Sequence, residues 1–369
     1  MTFVFRVDSS IDMGSGHVMR CLTLADALKA QGMECHFICR SHPGHLINHI
    51  EAEGYPVHQL PLAQEDNKSL EPRNAETLSH AHWLGATQQE DAEACLSLLH
   101  DLNPNWLVVD HYALDSRWER KVAHICSKVM VIDDLADRPH ICDLLLDQNL
   151  GREAIDYSNL VPQQCQILAG PQYALLRPEF AALREFSLRR RNEQKLEQIL
   201  ITMGGVDKDN ATGKVLAALK NSVLPAKCRI KIVMGASAPW LAKVRQQADA
   251  LPWETQVLVN INDMAQQMVV SDLAIGAAGS TSWERCCLGV PTLMVVLAEN
   301  QRPIARALDT MQAARLVGVV DDIPGQLPET MNDLVENQML VAMSENARGI
   351  TDGSGVTRVM DALEQMPHG

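Results

Sequence analysis

Two hydrophobic spacings take turns along nearly the whole of this chain. Short continuous apolar runs rich in β-branched residues, the pattern of buried strands, alternate with stretches whose apolar positions recur at helical spacing. The strand-like runs are Thr2–Val7, Cys35–Arg40, Val57–Leu60, Trp106–His111, Val129–Asp134, Leu144–Asn149 and Gln166–Ala169, and then Gln198–Met203, Arg229–Met234, Gln256–Asn260, Leu273–Ala277, Thr292–Leu297 and Leu316–Val320. Helical spacing follows the first run through Val18, Cys21, Leu22, Ala25 and Leu28, and returns over Gly44–Glu53 and Gln88–Leu102. Such alternation predicts parallel α/β sheets. Between the two groups of runs, Glu185–Glu197 is dense in Arg, Glu and Lys and reads as an exposed helix end or linker. Pro61–Ser79 is polar and without apolar period, and reads as a long surface loop.

The pattern thus predicts two Rossmann-like domains, 1–185 and 196–345, followed by a helical tail over 346–369. Each half opens with a strand, a glycine-containing loop and a helix. Facing one another, the two would bring the carboxyl ends of both sheets to a shared cleft, where α/β ligands bind.

Composition narrows the function classes. The 369 residues are 46% hydrophobic and 21% charged, which is ordinary for a globular protein with ample core. A net charge of -14 argues against a general binder of nucleic acid or anionic membrane. It leaves room for an anionic ligand held by backbone N–H groups. The N-terminus opens directly in a strand with no basic leader, and no apolar run is long enough to span a bilayer. Ten cysteines without a C-x-x-C pair read as reduced core residues, so the expected compartment is cytoplasmic.

Three loops carry the candidate chemistry. The first is DSSIDMGSGHVMR, where Gly14 and Gly16 allow close backbone approach and His17 stands where loop becomes helix. An imidazole there is disfavoured as imidazolium and can accept a proton; it can equally be a cap. A dinucleotide fingerprint does not fit, because Met19 occupies the third glycine's place and Cys39-Arg40 stand where an acidic residue is needed. The second loop is Met203-Gly204-Gly205, whose amides could hold a diphosphate or form a plain turn with an Asn cap. A Walker A loop is excluded, since Val215 follows Gly213-Lys214. The third is Ser271–Arg302. There Gly279, Ser280 and Thr281 offer amides and hydroxyls to phosphate, and Glu284 could accept from two ribose hydroxyls or merely complement the helix dipole. Asn300 and Gln301 follow the next strand.

Of the strand-end carboxylates Asp110, Asp133, Asp134 and Asp147, most are expected to be caps or turn residues. Asp110 and Tyr112 are also placed to line a cleft. His42, His45 and His49 share one polar helix start without a carboxylate or Cys to complete a metal set, and Cys286-Cys287 reads as helix packing.

Taken together, RVDSSIDMGSGHVMRCLTLADAL, VVDHYALD, VIDDLADRPHICDLLLDQNL, GPQYALLRPEF, ITMGGVDKDN and GAAGSTSWERCCLGVPTLMVVLAENQ resemble the UDP-sugar hydrolases of bacterial pseudaminic acid biosynthesis. The last block is also similar to the nucleotide-binding segment of the MurG-type N-acetylglucosaminyltransferases. The resemblance implies a GT-B fold. It implies a C-terminal domain that holds UDP, with Gly204, Gly205 and Gly279–Thr281 by the diphosphate and Glu284 on the ribose. It implies an N-terminal domain that holds the sugar, with Gly14, His17, Tyr112 and the facing Asn300 lining its pocket; Gly16, Asp110 and Gln301 are further candidates for binding the substrate. His17 would be the catalytic residue. The implied reaction is inverting hydrolysis of a UDP-linked 2,4-diacetamido-2,4,6-trideoxy-L-altrose, with no metal and no cofactor. The implied partner is this small UDP-sugar alone, without nucleic acid or membrane insertion; the oligomeric state stays open, a monomer included. A UDP-sugar glycosyltransferase and a nucleotide-sugar-binding protein without chemistry are the rival classes.

Overall fold

The computed structural model describes residues 1–62, 78–193 and 195–366. The chain divides into two compact units, Met1–Leu175 with Val356–Gly369, and Leu176–Gly355.

In the first unit the strands are β1 (Thr2–Val7), β2 (Glu34–Arg40), β3 (Val57–Leu60), β4 (Trp106–Asp110), β5 (Lys128–Ile132), β6 (Leu144–Asp147) and β7 (Gln166–Ala169). They form one parallel sheet in the order β3-β2-β1-β4-β5-β6-β7. The central strands are apolar on both faces because both faces are covered. On one side Phe5 and Phe37 stack at 4.9 Å and the helix Gly16–Ala30 packs Val18, Cys21, Leu22, Ala25 and Leu28. On the other, Val4, Ile38, Leu107 and Val109 meet Trp118, Leu99 and Tyr157.

The second unit repeats the plan with β8 (Gln198–Thr202), β9 (Arg229–Met234), β10 (Thr255–Val259), β11 (Leu273–Ala277), β12 (Thr292–Val296) and β13 (Arg315–Val319). Their order, β10-β9-β8-β11-β12-β13, is again parallel throughout. In each sheet the strand order reverses beside its first strand, between β1 and β4 and between β8 and β11. Crossovers leave in opposite directions there, which opens a crevice at the carboxyl ends of those strands. The three glycine-bearing loops picked out by sequence all follow one of these four strands.

All the strand-like runs are strands, with ends shifted by a residue or two. The end of the chain differs from the expectation, and the middle does so in part. The last helix, Gly355–Gln365, places Val359, Met360, Ala362 and Leu363 in the core of the first unit, so the tail over 346–369 is not one element. Glu185–Glu197 does hold the expected helix end, since the helix Pro178–Arg190 closes within it and Glu185, Arg189, Glu193, Lys195 and Glu197 are exposed, but it is not a linker throughout. Ser187 and Arg191 are buried, and Arg191 donates to the carbonyls of Met268 (2.9 Å), Ser271 (2.7 Å) and Leu288 (3.0 Å). Arg184 donates to the carbonyls of Arg348 (2.7 Å) and Thr351 (3.0 Å), and also to that of Cys287. The guanidinium forks of Arg184 and Arg191 satisfy carbonyls left over at helix C-termini, while most other charges of the stretch face solvent. Burial, and then Arg190, lower the Arg191 guanidinium to about 9.

The expected loop over Pro61–Ser79 lies largely outside the described residues. All ten cysteines are free, and only Cys165 is not buried. Among the described residues no helix is long and apolar enough to cross a membrane.

Candidate active site

At the carboxyl end of β1 the chain makes a tight turn. Gly14 takes φ +75° and donates to the Ser10 carbonyl at 2.9 Å, while the Ser10 hydroxyl accepts from the amides of Asp12 (3.2 Å) and Met13 (3.0 Å). A left-handed φ suits glycine, and the turn delivers the chain into the helix beginning at Gly16. His17, the second residue of that helix, is 9% exposed.

His17 does not merely cap the helix. Its Nδ1 lies 2.6 Å from Asp110 Oδ1, at the end of the adjacent strand β4. Arg20, one turn further along the helix, grips the same carboxylate with Nε 2.6 Å from Oδ2 and Nη2 2.7 Å from Oδ1. Its remaining arm, Nη1, lies 2.8 Å from Asp134 Oδ2, and the Tyr112 hydroxyl donates to that oxygen at 2.6 Å. The Tyr112 ring meets the imidazole edge-on, with centroids 4.6 Å apart.

Electrostatics fixes the protonation pattern. Burial alone would raise the Asp110 carboxyl, but Arg20 and His17 outweigh it and hold it well below the usual carboxylate range. Burial likewise works against the Arg20 guanidinium, and Asp110 and Asp134 overcome it. A carboxylate can only accept, so the proton between Asp110 and a neutral His17 sits on Nδ1. Nε2 then keeps its lone pair, which is the arrangement a general base needs. Sequence reading relied on the helix dipole for this; the structure supplies a carboxylate that sets the tautomer.

The other strand-end carboxylates part company here. Asp133 is buried against Arg138 (2.8 Å) and Tyr157 (3.0 Å) and accepts from the Ala136 amide at 2.8 Å, the turn role expected of it. Asp147 accepts from Tyr157 (2.8 Å) and pairs with Arg152 (2.8 Å), yet burial and nearby Asp134 raise it to about 7. Asp134 belongs to the His17 network. Sequence reading missed Arg20 and the role of Asp134. The signal for Arg20 was present: it is three residues after His17, hence on the same helix face, in an otherwise apolar stretch.

The histidines at 42, 45 and 49 are not one cluster. His49 lies on the helix Ile47–Ala52, whereas His42 is buried with Nε2 3.6 Å from Asp8 Oδ2, beside His111 Nε2 at 3.2 Å. Asp8 is held low, burial being outweighed by Arg6 and these two imidazoles. Among the described residues no group of three or more His, Cys, Asp or Glu is disposed to hold a metal ion.

The second unit brings the other candidates to its own carboxyl edge. Gly204, at φ +82°, and Gly205 follow β8, and a Cβ built at either would meet no heavy atom within 4 Å. The Gly205 carbonyl accepts from Gly235 at 3.0 Å. The helix Ala211–Leu219 is capped by Asp207, which accepts from Ala211 (2.8 Å) and Thr212 (3.0 Å), and not by Asn210. After β11 come Gly279 and Ser280, then the helix Thr281–Cys287 with Glu284 in its first turn. Glu284 is half-buried, and burial raises its carboxyl to about 7 against the opposing pull of Arg177 and Arg285. Behind it Arg285 is buried, donates to Ala277 O (2.6 Å) and Ser282 Oγ (3.0 Å), and is pushed down to about 10 by that burial. Gln301 anchors its turn by accepting from the Leu297 amide at 2.9 Å, with Nε2 3.7 Å from where a Gly279 Cβ would stand. Asn300 lies half-buried in the same turn, Glu299–Gln301.

Residues 192–363 match the model of the glycosyltransferase family 28 C-terminal domain. The chain is 28% identical over 306 residues to the UDP-2,4-diacetamido-2,4,6-trideoxy-beta-L-altropyranose hydrolase of Campylobacter jejuni, covering 83% of this chain and 95% of that one. It is 30% identical over 204 residues to the spore coat polysaccharide biosynthesis protein SpsG of Bacillus subtilis, covering 54% of this chain and 59% of that one. Among solved structures, Acinetobacter baumannii MurG superposes with a TM-score of 0.68 at 17% identity, over 99% of both chains. The resemblance read from the sequence blocks is thus met in whole-length similarity, and the fold is that of the GT-B glycosyltransferases.

Proposed function

We propose that this chain is a UDP-sugar-processing enzyme of the MurG-like kind, and that its reaction is hydrolysis with inversion, releasing UDP and 2,4-diacetamido-2,4,6-trideoxy-L-altrose. One observation carries the chemistry: the 2.6 Å contact between His17 Nδ1 and Asp110, clamped by Arg20. It leaves Nε2 free to take a proton from water as the water oxygen attacks the anomeric carbon. The electron pair of the breaking C1–O bond leaves with the UDP oxygen, on the opposite face of the sugar.

A diphosphate is a stable anion, so its departure needs charge stabilisation and no second carboxylic acid. The loop amides at Gly204–Gly205 and Gly279–Thr281 are assigned that task, and Glu284 the ribose hydroxyls. Gly14, Gly16 and Tyr112 of the first unit are assigned to the sugar. The first unit thereby does the proton chemistry and the second holds the nucleotide. No metal is assigned, and turnover is expected to persist in EDTA.

The test is incubation with the UDP-sugar in ¹⁸O-labelled water, followed by NMR. Label at C1 of the sugar, the inverted anomer first, and loss of turnover by about 10²–10⁴-fold in His17→Ala are expected. No UDP release, or full activity in the variant, overturns the reading. The family 28 match and the MurG likeness favour one rival, a glycosyltransferase. UDP release only on addition of a hydroxyl acceptor would establish it.

A further inference from the structure

We propose that Trp83 and His80, backed by the buried Tyr112, form the wall that selects the sugar by stacking on an apolar face of its pyranose ring. The proposal rests on the hydrolase reading and adds two residues to it.

The Tyr112 ring beside His17 carries two further rings on its own surface. The Trp83 indole stacks on Tyr112 with centroids 5.6 Å apart and planes 20° from parallel. His80 packs edge-on against both, 4.6 Å from Trp83 and 5.3 Å from Tyr112. Both Trp83 and His80 stay half-buried. Tyr112 is itself buried, so the surface of the stack is presented by those two rings.

The turn carrying them is fixed. Leu84, the next residue, is buried in the core, and Gly85 at φ +68° fits so closely that a Cβ there would stand 2.9 Å from the His42 ring. The wall is also coupled to the base. Asp134 accepts both from Arg20, which holds the Asp110–His17 pair, and from the Tyr112 hydroxyl, on whose ring Trp83 stacks. One carboxylate therefore sets the distance between imidazole and wall.

The chemistry of such a wall is specific. A pyranose presents axial C–H groups on one face, apolar and faintly positive, which suit the negative face of an aromatic ring. Rigid rings lose little conformational freedom on binding. Burial lowers His80 from its ordinary value, so it joins the wall as a neutral ring. A deoxy position or a methyl group enlarges the apolar face, and a hydroxyl turned onto it would lose its water without a replacement partner. The wall thus favours deoxy and methyl-bearing pyranoses.

The experiment compares the affinities of UDP and of UDP-2,4-diacetamido-2,4,6-trideoxy-β-L-altropyranose by calorimetry, in His17→Asn protein that binds without turning over. Trp83→Ala is expected to weaken the UDP-sugar about tenfold while leaving UDP alone, and Trp83→Phe to restore most of the loss. In turnover with His17 present, the same variant raises KM more than it lowers kcat. His80→Ala shows the same preference at smaller size, and serves should Trp83→Ala fail to fold. Equal losses for UDP and UDP-sugar, or no loss in either, overturn the wall. Absence of UDP release by the unsubstituted protein overturns the hydrolase reading instead, and the binding difference still reports on the wall.

Discussion

The two sheets share a topology, and their carboxyl edges are opposite in character. The first edge is crowded with paired charge. Asp110, Arg20, Asp134 and His17 lock one another in place within hydrogen-bond distance, with Asp8, Arg6 and Asp91 as a second buried set behind. The second edge is built from glycine, Ser280 and Thr281, with Asp207 taken up in capping its helix, the half-buried Glu284 carboxyl raised to about 7 and one buried guanidinium. A site that moves a proton must have its charges fixed before substrate arrives, because reorganising them during reaction would cost free energy. A site that receives a ligand carrying its own charge needs amides and room, and fixed acidic groups would repel it. The difference supports the proposed division, with proton chemistry in the first half and binding in the second.

The comparison breaks first, and hardest, at Asp110. In Asp110→Asn the amide can donate to Nδ1, which moves the imidazole proton to Nε2 and removes the base. Turnover is expected to fall about 10²–10⁴-fold with UDP affinity unchanged. Arg20→Ala acts on the same carboxylates through stability. It leaves Asp110 and Asp134 buried without their cation, a loss of about 3–5 kcal/mol in chemical denaturation near pH 7. The sign with pH follows from Asp110 being held low in the folded state. Its contribution is present above the ordinary carboxylate range and lost as pH falls toward the depressed value, so the variant's deficit shrinks in acid.

Sequence showed unequal amounts of the two edges, for physical reasons. Strand runs and glycine loops are local signals, so both sheets and both sets of loops were legible, and parallel order followed from the alternation. The residues Gly204, Gly205, Gly279–Thr281 and Glu284 lie in contiguous loops and could be picked out by spacing. The His17–Asp110 pair spans 93 positions in sequence and is made by strand adjacency alone. A strand-end Asp carries no mark to separate Asp134, which joins the network, from its neighbour Asp133, which packs against Arg138. The charge-rich stretch after Glu185 is the exposed helix end its composition indicated, except at Ser187 and Arg191, which are buried. Long Arg stems bury well when their heads find carbonyls, and that partnership is tertiary.

Glu284 sharpens the comparison on the binding side. The free carboxyl, raised from 4.5 to about 7 chiefly by burial, holds a proton below that value. Two ribose hydroxyls donating to it would favour the ionised form, so UDP binding should release a proton at pH 6 and release less at pH 8. Calorimetry at pH 6 in buffers of different ionisation enthalpy reads this directly. Glu284→Gln should abolish the release and weaken UDP about tenfold. It should also raise Tm at pH 8, because a carboxyl raised in the folded state costs stability as pH climbs through about 7. Proton release that survives in the Gln variant would place the titrating group elsewhere.

The smallest effect separates backbone from ligand. Gly204 has φ +82°, so Gly204→Ala costs about 1–2 kcal/mol from the left-handed backbone alone, since its methyl would meet no protein atom within 4 Å. Gly205 shares that freedom from contacts without the positive φ, so Gly205→Ala should leave stability within about 0.5 kcal/mol. A methyl at 205 matters only to something that approaches the loop from outside the protein. If this loop holds the diphosphate, Gly205→Ala weakens UDP severalfold at unchanged Tm while uridine, which lacks the phosphates, binds as before. Equal affinity for UDP in the variant and the unsubstituted protein would remove the diphosphate from this loop and leave the binding half to Gly279–Thr281.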